Sequence, residues 1–512
     1  MLTRRDVAVR SIGAVAGGLL ASRLPGPYLA AQEPQRADGQ FEFARVVERA
    51  RQLAEEPFDG DFAPLPERIA DLDRDGYARI RFRPEAALWR GEELPFQLQL
   101  FHRGFIYERP VRINVVEAGS ARPLVYSPDQ FEFDPPEIGE IEGDIGFSGF
   151  RIHSPINLAN VYDEVAVFQG GNSFRAVGKG QVYGLSARTV LVDAATGSPE
   201  DVPFFREFWI EKPGPGATEV AVYGLLDGES LAGACKFLVR PGEATVISVY
   251  GQFFIRRDVK KLGLAPLVSM FLYGEDGSRR FDDPRPEIHD SDGLLMCGDS
   301  GNWMWRPLGN PRQLAISAFS FERLAGYGLM QRDRDFRSYE DLNGLFQQRP
   351  SAWIDTVGEW GPGRVELVEV PAEAEIYDNI LSYWIPAEPV RAGQTWTCDY
   401  RISFGRGPLE PTSLARVVST RSGRGSEEGE RRFVVDFAGG GLADVRDLES
   451  ITAKIEASRG RTGNILRQRN AFIGGVRLIF DFRPEEAPSE IRAALFRNGE
   501  VISETWNYQW RE

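Results

Sequence analysis

The sequence predicts an all-β protein in which a large β-sandwich is followed by a small one. Short segments with alternating apolar and polar residues, such as "YARIRFRP", "FQLQLFHRGFIY" and "EVAVYGLL", are typical of half-buried strands. The 54 glycines and 33 prolines of the 512-residue chain supply many turns between them. The clearest helical spacing of apolar residues is in "FEFARVVERARQLAEEPFD". Regular short strands with so few helices favour stacked antiparallel sheets over βαβ units.

The first element, residues 1–31, is predicted to be an export signal that is cleaved near Ala31. The pair Arg4 and Arg5 precedes an apolar run that is too short and too rich in glycine to span a bilayer. Paired arginines indicate the twin-arginine route. An ordinary Sec signal is the alternative, and Arg10 inside the apolar run argues against it. The predicted location of the mature protein is the periplasm.

Two predicted domains follow the signal. Residues 38–407 are expected to form the large sandwich, residues 408–413 a linker with two prolines, and residues 414–512 a sandwich of immunoglobulin size. Residues 413–512 hold 16 basic and 15 acidic side chains, so the other 44 basic and 60 acidic side chains lie in residues 1–412. The formal net charge of −15 argues against nucleic acid as a partner, because phosphate binding requires clustered Lys and Arg.

The sequence predicts neither a metal centre nor a cofactor. Its three histidines and three widely separated cysteines have no zinc-ligand spacing. The acids of "DLDRDGYARIRF" begin like a calcium loop, but Phe82 stands where such a loop needs a glutamate. An odd number of cysteines without a CxxC motif favours small buried thiols over a disulfide framework. These cysteines are Cys235, Cys297 and Cys398.

Several long motifs together resemble one family, the periplasmic glucans biosynthesis proteins of types D and G. The motifs are "DIGFSGFRIHSPIN" (144–157), "FRAVGKGQVYGLSAR" (174–188), "FREFWIEKP" (205–213), "RPEIHDSDGL" (285–294), "GYGLMQRDRDFRSYEDL" (326–342), "RPSAWI" (349–354) and "WGPGRVELVEVP" (360–371). The resemblance covers essentially the whole mature chain, and the twin-arginine signal looks most like the D type.

The resemblance implies a fold, a substrate and a reaction. The family's large domain is a β-sandwich of the galactose-mutarotase kind, and its C-terminal domain is immunoglobulin-like. The implied substrate is β-1,2-linked glucan, with members acting as endo-β-1,2-glucanases that invert the anomeric centre. Inversion requires one carboxylic acid that protonates the leaving oxygen and one carboxylate that activates water, typically about 6.5–9.5 Å apart. A homodimer and contacts with membrane-bound glucan synthesis enzymes are also implied.

The resemblance assigns the general acid to Asp378, in "PAEAEIYDNILSYW". Apolar and aromatic neighbours that partly remove water would raise the pKa of its carboxyl, as an acid working near neutral pH requires. Glu375, three residues earlier, is the nearest competitor and is expected to hold a sugar hydroxyl or to tune Asp378. Tyr377 is expected to contact the substrate.

The resemblance assigns the base to Asp290, the first aspartate of "HDSD". In the family the water is activated indirectly, through a relay that includes a substrate hydroxyl, so the two carboxylates can lie farther apart than usual. His289 and Asp292 are interpreted as orienting groups rather than metal ligands. A polar turn without chemistry is the alternative for this segment.

Further sugar contacts are expected in "NGLFQQRPSAWI", at Phe346, Arg349 and Trp353. Aromatic faces and planar polar groups suit pyranose rings, which carry apolar C–H patches beside their hydroxyls. Some relatives have a tyrosine where Phe346 stands, so a relay step that uses its hydroxyl is in doubt here.

Two other functions remain open from the sequence. One is a non-hydrolytic protein that binds glucan and controls its backbone structure during synthesis; it predicts glucan affinity without products. The other is a mutarotase or sugar epimerase, which rests on analogy of fold alone. Polarimetry of free glucose anomers would separate this last function from the first two.

Overall fold

The computed structural model describes residues 40–197, 199–276, 281–485 and 488–511. The predicted signal, residues 1–31, lies outside these ranges. The fold is nearly all β, with 47% of the residues in strands and 9% in helices. The all-β prediction is therefore confirmed. No helix among the described residues is both long and apolar enough to cross a membrane.

The α-helices of the described residues lie near their start, and short 3-10 helices occur farther along the chain. The α-helices are α1 (Phe43–Glu55), α2 (Glu67–Ala70) and α3 (Arg74–Ala78). The predicted first helix corresponds to α1, which buries Val46, Ala50 and Leu53 on one face. This face packs against Leu225 and Phe254, so the amphipathic pattern serves to cover the outside of a sheet.

The strands before residue 408 have the following bounds. They are β1 (Arg81–Phe82), β2 (Gln97–His102), β3 (Arg112–Glu117), β4 (Ser120–Pro123), β5 (Phe131–Glu132), β6 (Phe147–Ser154), β7 (Asp163–Gln169), β8 (Ser173–Ala176), β9 (Ser186–Arg188), β10 (Val190–Val192), β11 (Phe204–Glu211), β12 (Val220–Asp227), β13 (Leu231–Arg240), β14 (Thr245–Ile255), β15 (Leu262–Ser269), β16 (Phe271–Tyr273), β17 (Ile288–His289), β18 (Gly293–Gly298), β19 (Trp303–Pro307), β20 (Ala315–Phe321), β21 (Leu324–Met330), β22 (Ser351–Thr356), β23 (Gly363–Glu369), β24 (Ile380–Pro386) and β25 (Thr395–Gly405).

The remaining strands follow the predicted linker. They are β26 (Arg416–Arg424), β27 (Arg431–Ala438), β28 (Ile451–Ala457), β29 (Arg461–Asn470), β30 (Gly475–Arg483), β31 (Ser489–Arg497), β32 (Glu500–Val501) and β33 (Thr505–Trp510).

Two large sheets enclose the main core. In the described chain one sheet has the order β2-β6-β7-β8-β9-β15-β24-β23-β20, with β10 also paired to β15. The other runs β28-β31-β33-β19-β18-β21-β22-β25-β14-β13-β12-β11-β3-β4, with β32 on β31. Phe150 of the first sheet meets Phe208 of the second with ring centroids 5.0 Å apart, and Phe168 meets Phe237 at 5.1 Å. Aromatic side chains thus fill the space between the layers.

The C-terminal strands form two layers, one of which continues the larger sheet. Strands β26, β27, β30 and β29 make a separate four-stranded sheet. Strand β33 instead pairs in parallel with β19, with Trp305 opposite Trp506. Trp305, Trp353, Phe433 and Trp506 share one hydrophobic cluster. The predicted domain ranges stay a prediction, but the strands on either side of the linker are joined by backbone hydrogen bonds and a common core.

The three cysteines are free and buried, as the sequence predicts. Burial raises the pKa of the Cys235 thiol and of the Cys398 thiol above the usual thiol range. Both groups therefore stay protonated and behave as small apolar side chains at neutral pH.

Glu275 is a polar contact between the large sandwich and β26. Its carboxylate accepts a hydrogen bond from the Ser419 hydroxyl at 3.0 Å and lies 2.9 Å from the Arg421 guanidinium. Burial raises the pKa of Glu275 to about 7, and the nearby Glu287 adds to this rise, although Arg421 and the Thr420 amide oppose it. Between pH 4.5 and about pH 7, the Glu275 carboxyl therefore holds its proton more in the folded protein than an ordinary glutamate does.

We expect Glu275→Gln to flatten the pH dependence of thermal stability. A carboxyl whose pKa is raised by folding binds more protons in the native state, so stability falls as the pH rises from 4.5 to about 7 and stays lower above that. Gln cannot ionise, so the difference in melting temperature between pH 5 and pH 8 should shrink. Calorimetry measures this, with the exposed Glu243 changed to Gln as control. An unchanged difference would contradict the assignment.

Candidate functional site

The segments that carry Asp290 and Asp378 share a neighbour, the junction between β15 and β16. The amide of Asp290 donates to the Met270 carbonyl at 2.8 Å. Asn379, which follows Asp378, accepts from the Phe271 amide at 2.8 Å and donates to the Phe271 carbonyl at 3.0 Å. The fold therefore brings together two segments that are almost 90 residues apart in the chain.

Arg285 binds an acid of its own segment and joins it to two other parts of the chain. Its Nη1 lies 2.7 Å from Asp341 Oδ2 and 2.8 Å from Glu375 Oε2, and its Nη2 lies 2.7 Å from Asp283 Oδ2. The hydrogen bonds that Arg285 donates to Asp283 and Asp341, together with the charge of Glu375, outweigh burial and raise the pKa of the guanidinium. The loop that begins at Glu375 is thus tied to the segment that leads to β17.

Asp290 is buried in an ion pair with Arg349. The two residues are 1% and 6% exposed, and Arg349 Nη1 contacts Asp290 Oδ1. Arg349 also donates to the Gly344 carbonyl through Nε at 3.1 Å and Nη2 at 3.0 Å, and its guanidinium lies 4.0 Å above the Phe346 ring. This arrangement fixes the orientation of Asp290 and covers it from solvent.

His289 is buried with an acceptor at each ring nitrogen. Its Nε2 lies 2.9 Å from Glu287 Oε2 and its Nδ1 lies 2.9 Å from Gln331 Oε1. The amide orientation of Gln331 follows from its Nε2, which donates to the carbonyls of His289 and Phe346. Burial alone would lower the pKa of His289, but Glu287, Asp292 and Gln331 raise it. A doubly protonated ring satisfies both acceptors.

Asp292 is buried and binds the backbone that follows β21. Its Oδ2 accepts hydrogen bonds from the amides of Arg332 at 2.7 Å and Asp333 at 2.9 Å. Its Oδ1 is buried without a hydrogen-bond partner. Burial raises the pKa of Asp292, against the opposing charges of His289 and Arg332. The orienting role of Asp292 stays a prediction.

The surface of the site is formed by the loop around Asp378. Tyr377 is 45% exposed, the Glu375 side chain is 27% exposed and Asp378 is partly exposed. Leu342, beside the Asp341 that binds Arg285, is 79% exposed. Apolar and aromatic faces next to carboxylates suit a sugar ring. Among the described residues, no group of three or more His, Cys, Asp or Glu side chains is placed to hold a metal ion.

Two predicted sugar contacts have no exposed face. Phe346 is 1% exposed and stacks on Tyr339 with centroids 5.6 Å apart. Trp353 is 2% exposed, stacks on Trp303 at 5.4 Å and donates from Nε1 to Asp355 at 2.7 Å. Trp353 belongs to the cluster shared with the C-terminal strands. The structure therefore does not bring Trp353 to the other predicted site residues.

Sequence reasoning missed the residues that hold the site together. Arg285, Glu287, Gln331 and Asp341 were all inside quoted motifs, yet nothing in their spacing indicates that they meet. Their partners lie between 2 and 90 residues away. The local signal of a charged network was the sequence order itself. Arg285 and Glu287 stand two residues apart, shortly before His289.

Comparison with known proteins agrees with this arrangement of motifs. A family model described as periplasmic glucan biosynthesis protein, MdoG, matches residues 41–510. The chain belongs to this family.

Relatives in the periplasmic glucan biosynthesis family are similar along almost their whole length. A protein of Rhodopseudomonas palustris (strain BisA53) named glucans biosynthesis protein G is 44% identical over 480 residues, which cover 94% of this chain and 95% of the relative. A protein of the same name from Shewanella sp. (strain ANA-3) is 45% identical over 483 residues, covering 92% and 87%. Family membership is thus confirmed, and the likeness of the signal to the D type stays a prediction.

Proposed function

We propose that this member of the periplasmic glucan biosynthesis family is an inverting endo-β-1,2-glucanase of the periplasm. The proposal is carried by one observation: the partly exposed loop with Asp378 and Tyr377 is bonded to the same strand junction as Asp290. Two carboxyl groups on separate segments that converge are the minimum that inverting hydrolysis needs.

Asp378 is the proposed general acid. It lies on the exposed side of the site, where a glycosidic oxygen can approach, and its loop is fixed by Asn379 on one side and by the pairing of Glu375 with Arg285 on the other. A fixed carboxylic acid donates its proton as the glycosidic bond breaks, which lowers the barrier to departure of the leaving group.

Asp290 is the proposed base, acting through a relay. It is 1% exposed and paired with Arg349, so a proton must reach it through an intervening group rather than directly from bulk water. A substrate hydroxyl bound beside Arg349 would serve as that group. Arg349 orients Asp290 through the contact between its Nη1 and Asp290 Oδ1.

Product analysis tests the proposal. Purified protein is incubated with linear β-1,2-glucan between pH 5 and pH 8, and the products are followed by chain-length analysis and proton NMR. The expected result is shorter glucans whose new reducing ends first appear as α-anomers, because inversion changes the configuration of a β-linkage. Glucan that keeps its length throughout this range would reject the proposal.

A glucan-binding protein without hydrolysis is the second candidate. The observation that favours it is the covering of Asp290, together with a buried phenylalanine at position 346 that has no hydroxyl to pass a proton. In that case the exposed loop binds glucan during synthesis, and membrane-bound synthesis enzymes and a second copy of the chain are the proposed partners. Glucan binding without any shorter product would select this function.

Tyr377→Ala is expected to weaken binding of β-1,2-glucan about two- to tenfold, because one stacking aromatic face contributes about 0.5–1.5 kcal/mol. The side chain is 45% exposed at the loop that holds Asp378. Isothermal titration calorimetry measures the change. Phe472→Ala is the matched control, since Phe472 is also an exposed aromatic but lies in the turn between β29 and β30. Equal affinities of the two variants would remove Tyr377 from the binding surface.

A further inference from the structure

Residues 331–334, with the sequence Gln-Arg-Asp-Arg, lie between the candidate site and the C-terminal strands. We call this segment the strap. It directly follows β21, which ends at Met330. Its side chains reach two places, because Gln331 and Arg334 bind groups of the site whereas Arg332 binds the C-terminal strands. The strap is therefore a direct polar connection between the two.

On the site side, the strap supports both Asp290 and Arg349. Gln331 donates to the carbonyls of His289 at 3.0 Å and Phe346 at 3.1 Å. Arg334 Nη1 donates to the Arg349 carbonyl, and its Nη2 donates to a neighbouring serine hydroxyl at 3.2 Å. The strap thus holds the backbone on both sides of the ion pair. Gln331 binds the carbonyl of His289, the residue before Asp290, and Arg334 binds the carbonyl of Arg349.

On the other side, Arg332 is bound by residues that follow the predicted linker. Its guanidinium forms a two-pronged pair with Glu504, with Nη2 2.7 Å from Oε1 and Nη1 2.8 Å from Oε2. Arg332 Nη1 also donates to the Val417 carbonyl at 2.7 Å, and Glu504 Oε2 accepts from the Val417 amide at 3.0 Å. The guanidinium lies 3.7 Å over the Trp305 ring. Glu504 is fully buried.

The strap backbone also binds Asp292, beside a small cavity. The amides of Arg332 and Asp333 donate to Asp292 Oδ2. The cavity has a volume of about 50 Å³ and is lined by Asp292, His289, Arg332 and residues of β26. Such a volume suits water rather than a sugar. The strap is thus bonded to Asp292 as well as to the C-terminal strands.

We propose that Arg332 and Glu504 are positioning residues, through which the C-terminal sandwich sets the geometry of Asp290 and Arg349. This inference rests on the proposed glucanase function for its effect on turnover. A paired guanidinium and carboxylate in a buried setting holds a fixed orientation. The C-terminal strands thereby have a role in the reaction, through the pair of Glu504 with Arg332.

Glu504→Gln tests the inference in the full-length protein. The variant keeps the shape of the side chain but removes its charge, so Arg332 loses its ion pair. We expect kcat on β-1,2-glucan to fall about 10- to 100-fold, because small misplacements of reacting groups have effects of this size. KM should change less than about twofold, because the exposed loop is unaltered. Tyr508→Phe is the matched control, since it removes another bond across the same interface, from Tyr508 to Asp276.

A second measurement does not depend on activity. The chain has only three histidines, so imidazole NMR resolves His289, whose ring is bonded to Glu287 and Gln331. We expect Glu504→Gln to shift its ring signals and to speed exchange of its N–H protons, and Tyr508→Phe to do neither. Wild-type protein that fails to shorten glucan defeats the proposed function, and the NMR comparison then decides the inference alone.

Two results would overturn the inference. One is a folded Glu504→Gln variant with wild-type kcat and unchanged His289 signals. The other is an equal effect of Tyr508→Phe, which would indicate general loosening of the interface. Should Glu504→Gln not fold, Arg332→Lys replaces it in the same comparison, because lysine keeps the charge but lacks the two-pronged geometry.

Discussion

Asp378→Asn is expected to lower the rate of β-1,2-glucan cleavage about 10²- to 10⁴-fold, the usual contribution of a positioned general acid. Asparagine has nearly the same shape, so the bonds of Asn379 to Phe271 and of Glu375 to Arg285 should persist. Glucan affinity should therefore stay close to that of the wild type. Reducing-end assays give the rate, and calorimetry on the same preparation gives the affinity.

Glu373→Gln is the matched control for this variant. Glu373 is an exposed carboxylate on the same loop, five residues before Asp378, and it should keep wild-type turnover. A cleavage rate that is unaffected by Asp378→Asn would remove Asp378 as the acid and would make Glu375 the next carboxyl group to test. If Asp378→Asn abolished glucan binding as well as cleavage, Asp378 would instead be a residue that binds the substrate.

Arg349→Met is expected to lower the free energy of unfolding by about 3–5 kcal/mol, because it removes the cation that contacts the buried Asp290 carboxylate. Asp290 is 1% exposed, so water cannot replace the lost partner. The variant also loses the donors to the Gly344 carbonyl. Urea unfolding at pH 7 measures the change, and activity should be lost in parallel.

The double variant Asp290→Asn with Arg349→Met should recover part of this loss, since no charge then remains buried. The exposed pair of Arg391 and Asp258 is the control, with side chains that are 62% and 59% exposed. Arg391→Met should destabilise the protein much less than Arg349→Met, because water and salt screen such a pair. A similar cost for Arg349→Met and Arg391→Met would show that Asp290 is solvated.

The fold class was open to prediction because strand patterns and turns are local. Alternation of apolar residues in "ATVISVYGQFFI" predicts a strand, and β14 covers Thr245–Ile255. The spacing of Val46, Ala50 and Leu53 likewise predicts α1. The pairing of β33 with β19 was not open to prediction, because nothing in either strand specifies a partner two hundred residues away.

The candidate site, like the fold, was only partly open to prediction from the sequence. Motif resemblance named Asp290, Asp378, Glu375 and Arg349 from the chain alone. It gave no sign that Arg285 would bind three acids or that Asp290 would be covered. Trp353 was predicted as a sugar contact but lies in the core. An aromatic residue in a matching motif suits either place, and its packing against Trp303 distinguishes the two.

Residue type and local spacing are enough to predict the all-β class, the first helix and the buried free thiols, and the resemblance of long motifs predicts the family. The tertiary structure decided which charges are paired, which aromatic rings are covered, and how the C-terminal strands connect to the site through Arg332 and Glu504. The physical reason is that burial and ion pairing depend on distances in space between residues that are remote in the chain, and local spacing does not contain those distances.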